Sequence, residues 1–104
     1  MTKQINKLVR DNIPAICKEN GERATTKTLD DAEYTLELQQ KLKEEVEEYL
    51  SSNELEELAD ILEVIEALAI NQGSSLEEVL DIKQRKQKRN GAFINKIFLV
   101  SVDG

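Results

Sequence analysis

Four acidic residues, spaced Glu45-x-x-Glu48 and Glu57-x-x-Asp60, fall in two consecutive helical segments joined by a turn of a few residues. An i,i+3 pair puts both carboxylates on one side of a helix, within reach of a common ligand. Two such pairs on adjacent antiparallel helices can converge on one point. Carboxylates gathered there without a partner repel one another and resist desolvation, so a cation is the natural occupant. Magnesium is the candidate, with manganese as a possible substitute. The competing reading is a solvated acidic face, because the stretch from Asp30 to Glu66 holds 14 acids against two bases, Lys41 and Lys43.

Helical phase separates the two readings. At about 100° per residue, Leu38, Leu42, Val46 and Tyr49 form one apolar stripe. Glu45 lies inside it and Glu48 at its edge, whereas Glu44 and Glu47 point away. On the second helix, Leu58, Ile61, Leu62, Ile65 and Leu68 make the main apolar face. Glu57 and Asp60 flank Val64, which begins a second strip continued by Ala67. A glutamate in a core stripe violates binary patterning and is costly unless its charge is matched. Such violations mark functional sites.

The elements that must carry these residues are legible from their ends. Pro14 suits the first turn of a short helix over 15–19, stopped by Asn20-Gly21. Residues 22–29 read as extended and exposed. Asp30 with Glu33 forms a capping box for a helix reaching about Leu50. Asn53 with Glu56 offers a second capping signal, for a helix over 54–71 that ends near Gly73. Ser75 with Glu78 starts a third, running towards Arg89 and closed by Asn90-Gly91. The apolar tail, Phe93 to Val102, reads as a short strand or an extended segment laid against the body and anchored by Phe93. Tyr34 and Tyr49 are expected in the core or at an interface. One domain over 1–104 is expected, all-α, an antiparallel helical bundle with a short extended C-terminal tail. The helix over 54–71 is apolar around more than half its circumference, so a homodimer or dimer of dimers is expected to complete the core.

Composition narrows the chemistry. With no histidine and one cysteine, Cys17, the chain cannot build a Cys/His zinc site, use a histidine base or close an internal disulfide. Cys17 reads as a small packing residue. A net charge of −7 argues against general nucleic-acid or anionic-membrane binding. No apolar run is long enough to span a membrane and no signal-peptide core stands at the N-terminus, so a reduced cytoplasmic setting is the expectation. Charge is segregated: from Lys83 to Lys96 there are six bases and no acid. The helix macrodipole favours bases near a C-terminus, but six exceed what it needs. Lys7 and Arg10 form a second basic group. A carboxylate cluster beside lysines and arginines suggests a phosphorylated ligand.

At these residues the chain resembles the all-α nucleoside triphosphate pyrophosphohydrolases, a group including the MazG-like enzymes and phosphoribosyl-ATP pyrophosphohydrolase. The shared EExxE and ExxD motif stands here as Glu44-Glu45-Val46-Glu47-Glu48 and Glu57-Leu58-Ala59-Asp60. The opening Lys7-Leu8-Val9-Arg10-Asp11-Asn12-Ile13-Pro14 looks like the KLVRDxIP signature of a small branch. Asn90-Gly91-Ala92-Phe93 resembles its GGF turn, with Ala92 in place of the second glycine. The resemblance implies an all-α MazG-like fold and magnesium-dependent hydrolysis between the α- and β-phosphates, releasing a monophosphate and pyrophosphate. It implies Glu45, Glu48, Glu57 and Asp60 as metal ligands, and Glu44 with Glu45 as catalytic acids, Glu44 positioning water or a base. Lys7, Arg10, Lys83, Lys86 and Arg89 are the candidates for phosphate, from charge and position. A histidine-pathway phosphoribosyl-ATP hydrolase is the alternative within the class. A non-catalytic nucleotide-binding or regulatory helical module is the alternative outside it.

Overall fold

The computed structural model describes residues 2–104. Four helices follow one another: α1 (Ile13–Glu19), α2 (Asp31–Ser52), α3 (Leu55–Asn71) and α4 (Leu76–Asn90), with no strand among the described residues. The fold is all-α, as expected. Among the described residues no helix is long and apolar enough to cross a membrane.

Local hydrogen bonding explains where the helices begin. The Asp30 side chain accepts from the Glu33 backbone N–H at 2.8 Å, and Ser75 accepts from that of Glu78 at 3.2 Å. Each satisfies one of the orphan donors of a first turn. Pro14 sits in the first turn of α1, which starts at Ile13, slightly earlier than the sequence suggests. Asn53 does not cap α3. It closes α2 instead, in the left-handed conformation at φ 58°, with its backbone N–H on the Tyr49 carbonyl at 2.7 Å. Asparagine tolerates that conformation better than most residues, and the C-terminal need took precedence over the N-terminal one. α3 begins after Glu54 with no side-chain cap.

The two-residue turn folds α2 and α3 into an antiparallel hairpin, and these two helices make the principal packing of the chain. Asn71 Nδ2 donates to Thr35 Oγ1 at 2.9 Å, tying the end of α3 to the start of α2. α4 packs against the C-terminal half of α3, where Val79 and Ile82 face Ile65, Leu68 and Ala69 across a shallow cleft. Beyond Val79 every residue is exposed, and the molecule is elongated at 63 × 32 × 23 Å.

The buried apolar core is small: Leu38 from α2, Val64 and Ala69 from α3. Tyr34 and Tyr49 are half-buried on α2. On α3, Ala69 and Val64 go deepest, Ile61, Ile65 and Leu68 of the expected main face are half-buried, and Leu58 and Leu62 stay exposed. The side of α3 that carries Glu57 and Asp60 is the side turned to α2, and Val64 travels with it. The tail departs from expectation as well. Residues 93–102 form no strand and do not lie against the body, and Phe93, at 103% relative exposure, anchors nothing.

Candidate metal centre

The α2–α3 hairpin brings the two spaced acid pairs together. Carboxylate oxygens of Glu45, Glu57 and Asp60 lie within 4.8 Å of one another, and those of Glu44, Glu45 and Glu48 form a second such group. Glu45 belongs to both. Glu48 stands beside Glu45 and Glu57, and its charge acts on both, so the four acids Glu45, Glu48, Glu57 and Asp60 converge.

Glu45 is the one buried charged residue among those described, at 7% exposure, in the apolar stripe beside Leu38. Its Oε2 and that of Glu57 are cut off from solvent without a hydrogen-bond partner. A buried carboxylate oxygen left in that state is expensive. Burial raises the Glu45 pKa, and the neighbouring Glu48 raises it further, against a smaller opposing pull from Lys41. Burial also lifts Glu57, to about 6, with the negative charges of Glu48, Asp60 and Glu45 adding to it.

The bases around the cluster leave it negative. Lys41 Nζ lies 3.5 Å from Glu44 and 3.6 Å from Glu45. Lys7 Nζ donates to Glu44 Oε1 at 3.1 Å, and Arg10 bridges Asp60 at 2.8 Å and Glu63 at 3.3 Å. With every group ionised, three bases face six carboxylates: Glu44, Glu45, Glu48, Glu57, Asp60 and Glu63. An all-oxygen donor set with two unpartnered buried oxygens fits a hard divalent cation such as magnesium or manganese, and lacks the nitrogen or sulfur that zinc favours.

Glu44 differs from its expected outward direction. It is half-buried and held by Lys7 and Lys41, and the Lys7 hydrogen bond keeps its pKa below the usual carboxylate value despite partial burial. Phase alone places it off the apolar stripe, but the incoming Lys7 covers it. Of the candidate phosphate-binding bases, Lys7 and Arg10 reach the carboxylates. Lys83, Lys86 and Arg89 stand exposed on α4 and pair with no acid among the described residues. Lys41 and Glu63 are additions that sequence reasoning missed. Their signals are the i,i+3 and i,i+4 spacing of Lys41 to Glu44 and Glu45, and the i,i+3 spacing of Glu63 to Asp60.

Comparison with protein-family models, with curated proteins and with solved structures finds no match to this chain.

The raised pKa values set a sign for stability. A carboxyl whose folded pKa exceeds its ordinary 4.5 stabilises the fold below that value and loses the contribution as pH rises through about 6. Glu44, shifted the other way, acts only near and below 4.5. In chelator, the melting temperature should therefore rise on going from pH 7.5 to 5.5. Saturating magnesium should raise it more at pH 7.5 than at 5.5, because protons compete for the same oxygens. Scanning fluorimetry across the series checks this, and a flat profile in chelator would contradict the crowding of Glu57.

Proposed function

We propose that the chain is a magnesium-dependent nucleotide pyrophosphohydrolase acting between the α- and β-phosphates of a nucleoside triphosphate. The observation that carries this reading is the pair of buried, unpartnered oxygens on Glu45 and Glu57 at the centre of four converging carboxylates, with Lys7 and Arg10 at the rim. The motif resemblance supplies the reaction class. Glu45, Glu48, Glu57 and Asp60 would hold the cation. When bound, magnesium supplies Lewis-acid charge to the phosphoryl group and lowers the pKa of water.

The chain's own groups divide the remaining work. A motif carboxylate not saturated by the cation would take the proton, a role histidine cannot fill in this chain. Glu44, kept ionised by Lys7 and Lys41, holds those two ammonium groups beside the centre rather than accepting a proton itself. Lys7 and Lys41 also line a cleft of about 220 Å³ with Ile5, Leu8, Glu37 and Gln40, an entrance of polar and apolar surface that ends at Glu44. In this reading a second copy covers the exposed Leu55, Leu58 and Leu62 of α3 and completes the core, in a reducing cytoplasmic setting that leaves Cys17 a free thiol.

The test is pyrophosphate release from a panel of canonical and modified nucleoside triphosphates plus phosphoribosyl-ATP, with magnesium and with chelator. Magnesium-dependent pyrophosphate paired one-to-one with a monophosphate is expected. Preference for phosphoribosyl-ATP would assign a biosynthetic substrate. Orthophosphate release would contradict the cleavage position, and no release at all would turn the reading to a non-catalytic helical binding module.

A further inference from the structure

The segment before α1 crosses the acidic face. Lys7 fastens it to Glu44 on α2 at 3.1 Å, and Arg10 fastens it to α3, Nη2 on Asp60 Oδ1 at 2.8 Å and Nη1 on Glu63 Oε1 at 3.3 Å. These contacts join residues 37, 50 and 53 positions apart in the chain. The two anchors differ in what they hold. Glu44 and Glu63 stand outside the four acids assigned to the cation, whereas Asp60 is one of them.

An arginine stays charged at any pH of interest, so Asp60 Oδ1 cannot serve the guanidinium and a divalent cation without setting two positive charges against each other. We propose that Arg10 is a built-in counter-cation that competes with the divalent ion for Asp60, and that the arriving ion displaces it onto the phosphate of the ligand. The inference rests on the metal-centre reading above. The planar fork of arginine matches phosphate oxygens in the bidentate manner in which it now straddles Asp60 and Glu63. Lys7 on Glu44, which the cation does not claim, keeps the strap in place while the exchange occurs. The consequence is reciprocal coupling: metal frees Arg10 for phosphate, and phosphate, by holding Arg10, favours metal.

The experiment is calorimetric titration of Mn2+ into chelator-stripped protein, for wild type, Arg10→Gln and Arg85→Gln. Arg85 pairs with Asp81 on α4 at 3.1 Å, so its loss changes net charge equally without touching the cluster. Arg10→Gln is expected to bind Mn2+ about fivefold more tightly than wild type, and Arg85→Gln to stay within about twofold of it. Inorganic phosphate should tighten Mn2+ binding in wild type and have no such effect in Arg10→Gln. Arg10→Lys, which keeps the charge and loses the fork, should fall between them and guards against a folding defect in the glutamine variant. Unchanged or weaker Mn2+ binding in Arg10→Gln overturns the proposal, and so does equal tightening in Arg85→Gln. If wild type binds and only the coupling is missing, the exchange fails and the metal centre stands. If no variant binds Mn2+, both fall.

Discussion

Glu45→Gln is expected to lose pyrophosphate release by at least about a hundredfold and to lose magnesium-dependent thermal stabilisation with it. In chelator the same variant should melt higher than wild type. The two effects share one cause. Glu45 is buried in the apolar stripe of α2, its Oε2 has no partner, and Glu48 crowds it. Without a cation, the carboxylate is a desolvated charge among like charges, and removing it relieves the fold by about 1 kcal/mol or more. For a domain of this size, that is a rise of roughly 4–8 °C. With a cation, the same carboxylate lies at the junction of both acid groups. Paired melting curves with magnesium and with chelator, beside the pyrophosphate assay, read both halves. Identical curves for wild type and variant in both conditions would remove the metal centre from this account.

The second large effect belongs to the scaffold. Leu38→Ala should destabilise the protein by about 3 kcal/mol, within the 2–5 kcal/mol typical of buried leucines. Leu38 is the most buried apolar residue, at 3% exposure, and only Val64 and Ala69 share that depth among the described residues. In a protein whose whole stability is about 5–15 kcal/mol, such a loss is a large fraction. Urea unfolding should report a lower midpoint with an unchanged slope. Unlike Glu45→Gln, this variant should keep its magnesium-induced rise in melting temperature while it stays folded. A loss below about 1 kcal/mol would mean that the α2–α3 contact is not where the fold is held.

Much of this hairpin is readable from the chain because its determinants are local. Asp30 with Glu33 and Ser75 with Glu78 act within one turn, and both caps form. The convergence of Glu45, Glu48, Glu57 and Asp60 follows from two i,i+3 spacings and one short turn, needing nothing distant. The misreadings occur where a second element decides the outcome. Asn53 satisfies either the end of α2 or the start of α3, and the tight turn makes it serve α2. Glu44 is turned from a solvent residue into a paired one by Lys7, 37 positions away. The tail carries the apolar pattern of a packed segment yet stays exposed, because pattern alone does not fix which surface a segment packs on. The six bases after α3 illustrate the same limit: their charge is visible in the sequence, but Lys83, Lys86 and Arg89 are exposed and pair with no acid among the described residues.

In the proposed reading these four carboxylates hold a divalent cation. Isothermal titration of magnesium into wild type at pH 6, repeated in two buffers of different ionisation enthalpy, tests it most directly. Saturable binding is expected, with proton release from Glu57, whose pKa is lifted to about 6 in the cation-free site. Release from Glu57 should be smaller at pH 8 than at pH 6. Absence of saturable binding would contradict it, whereas binding with no proton release at pH 6 would contradict the raised pKa of Glu57.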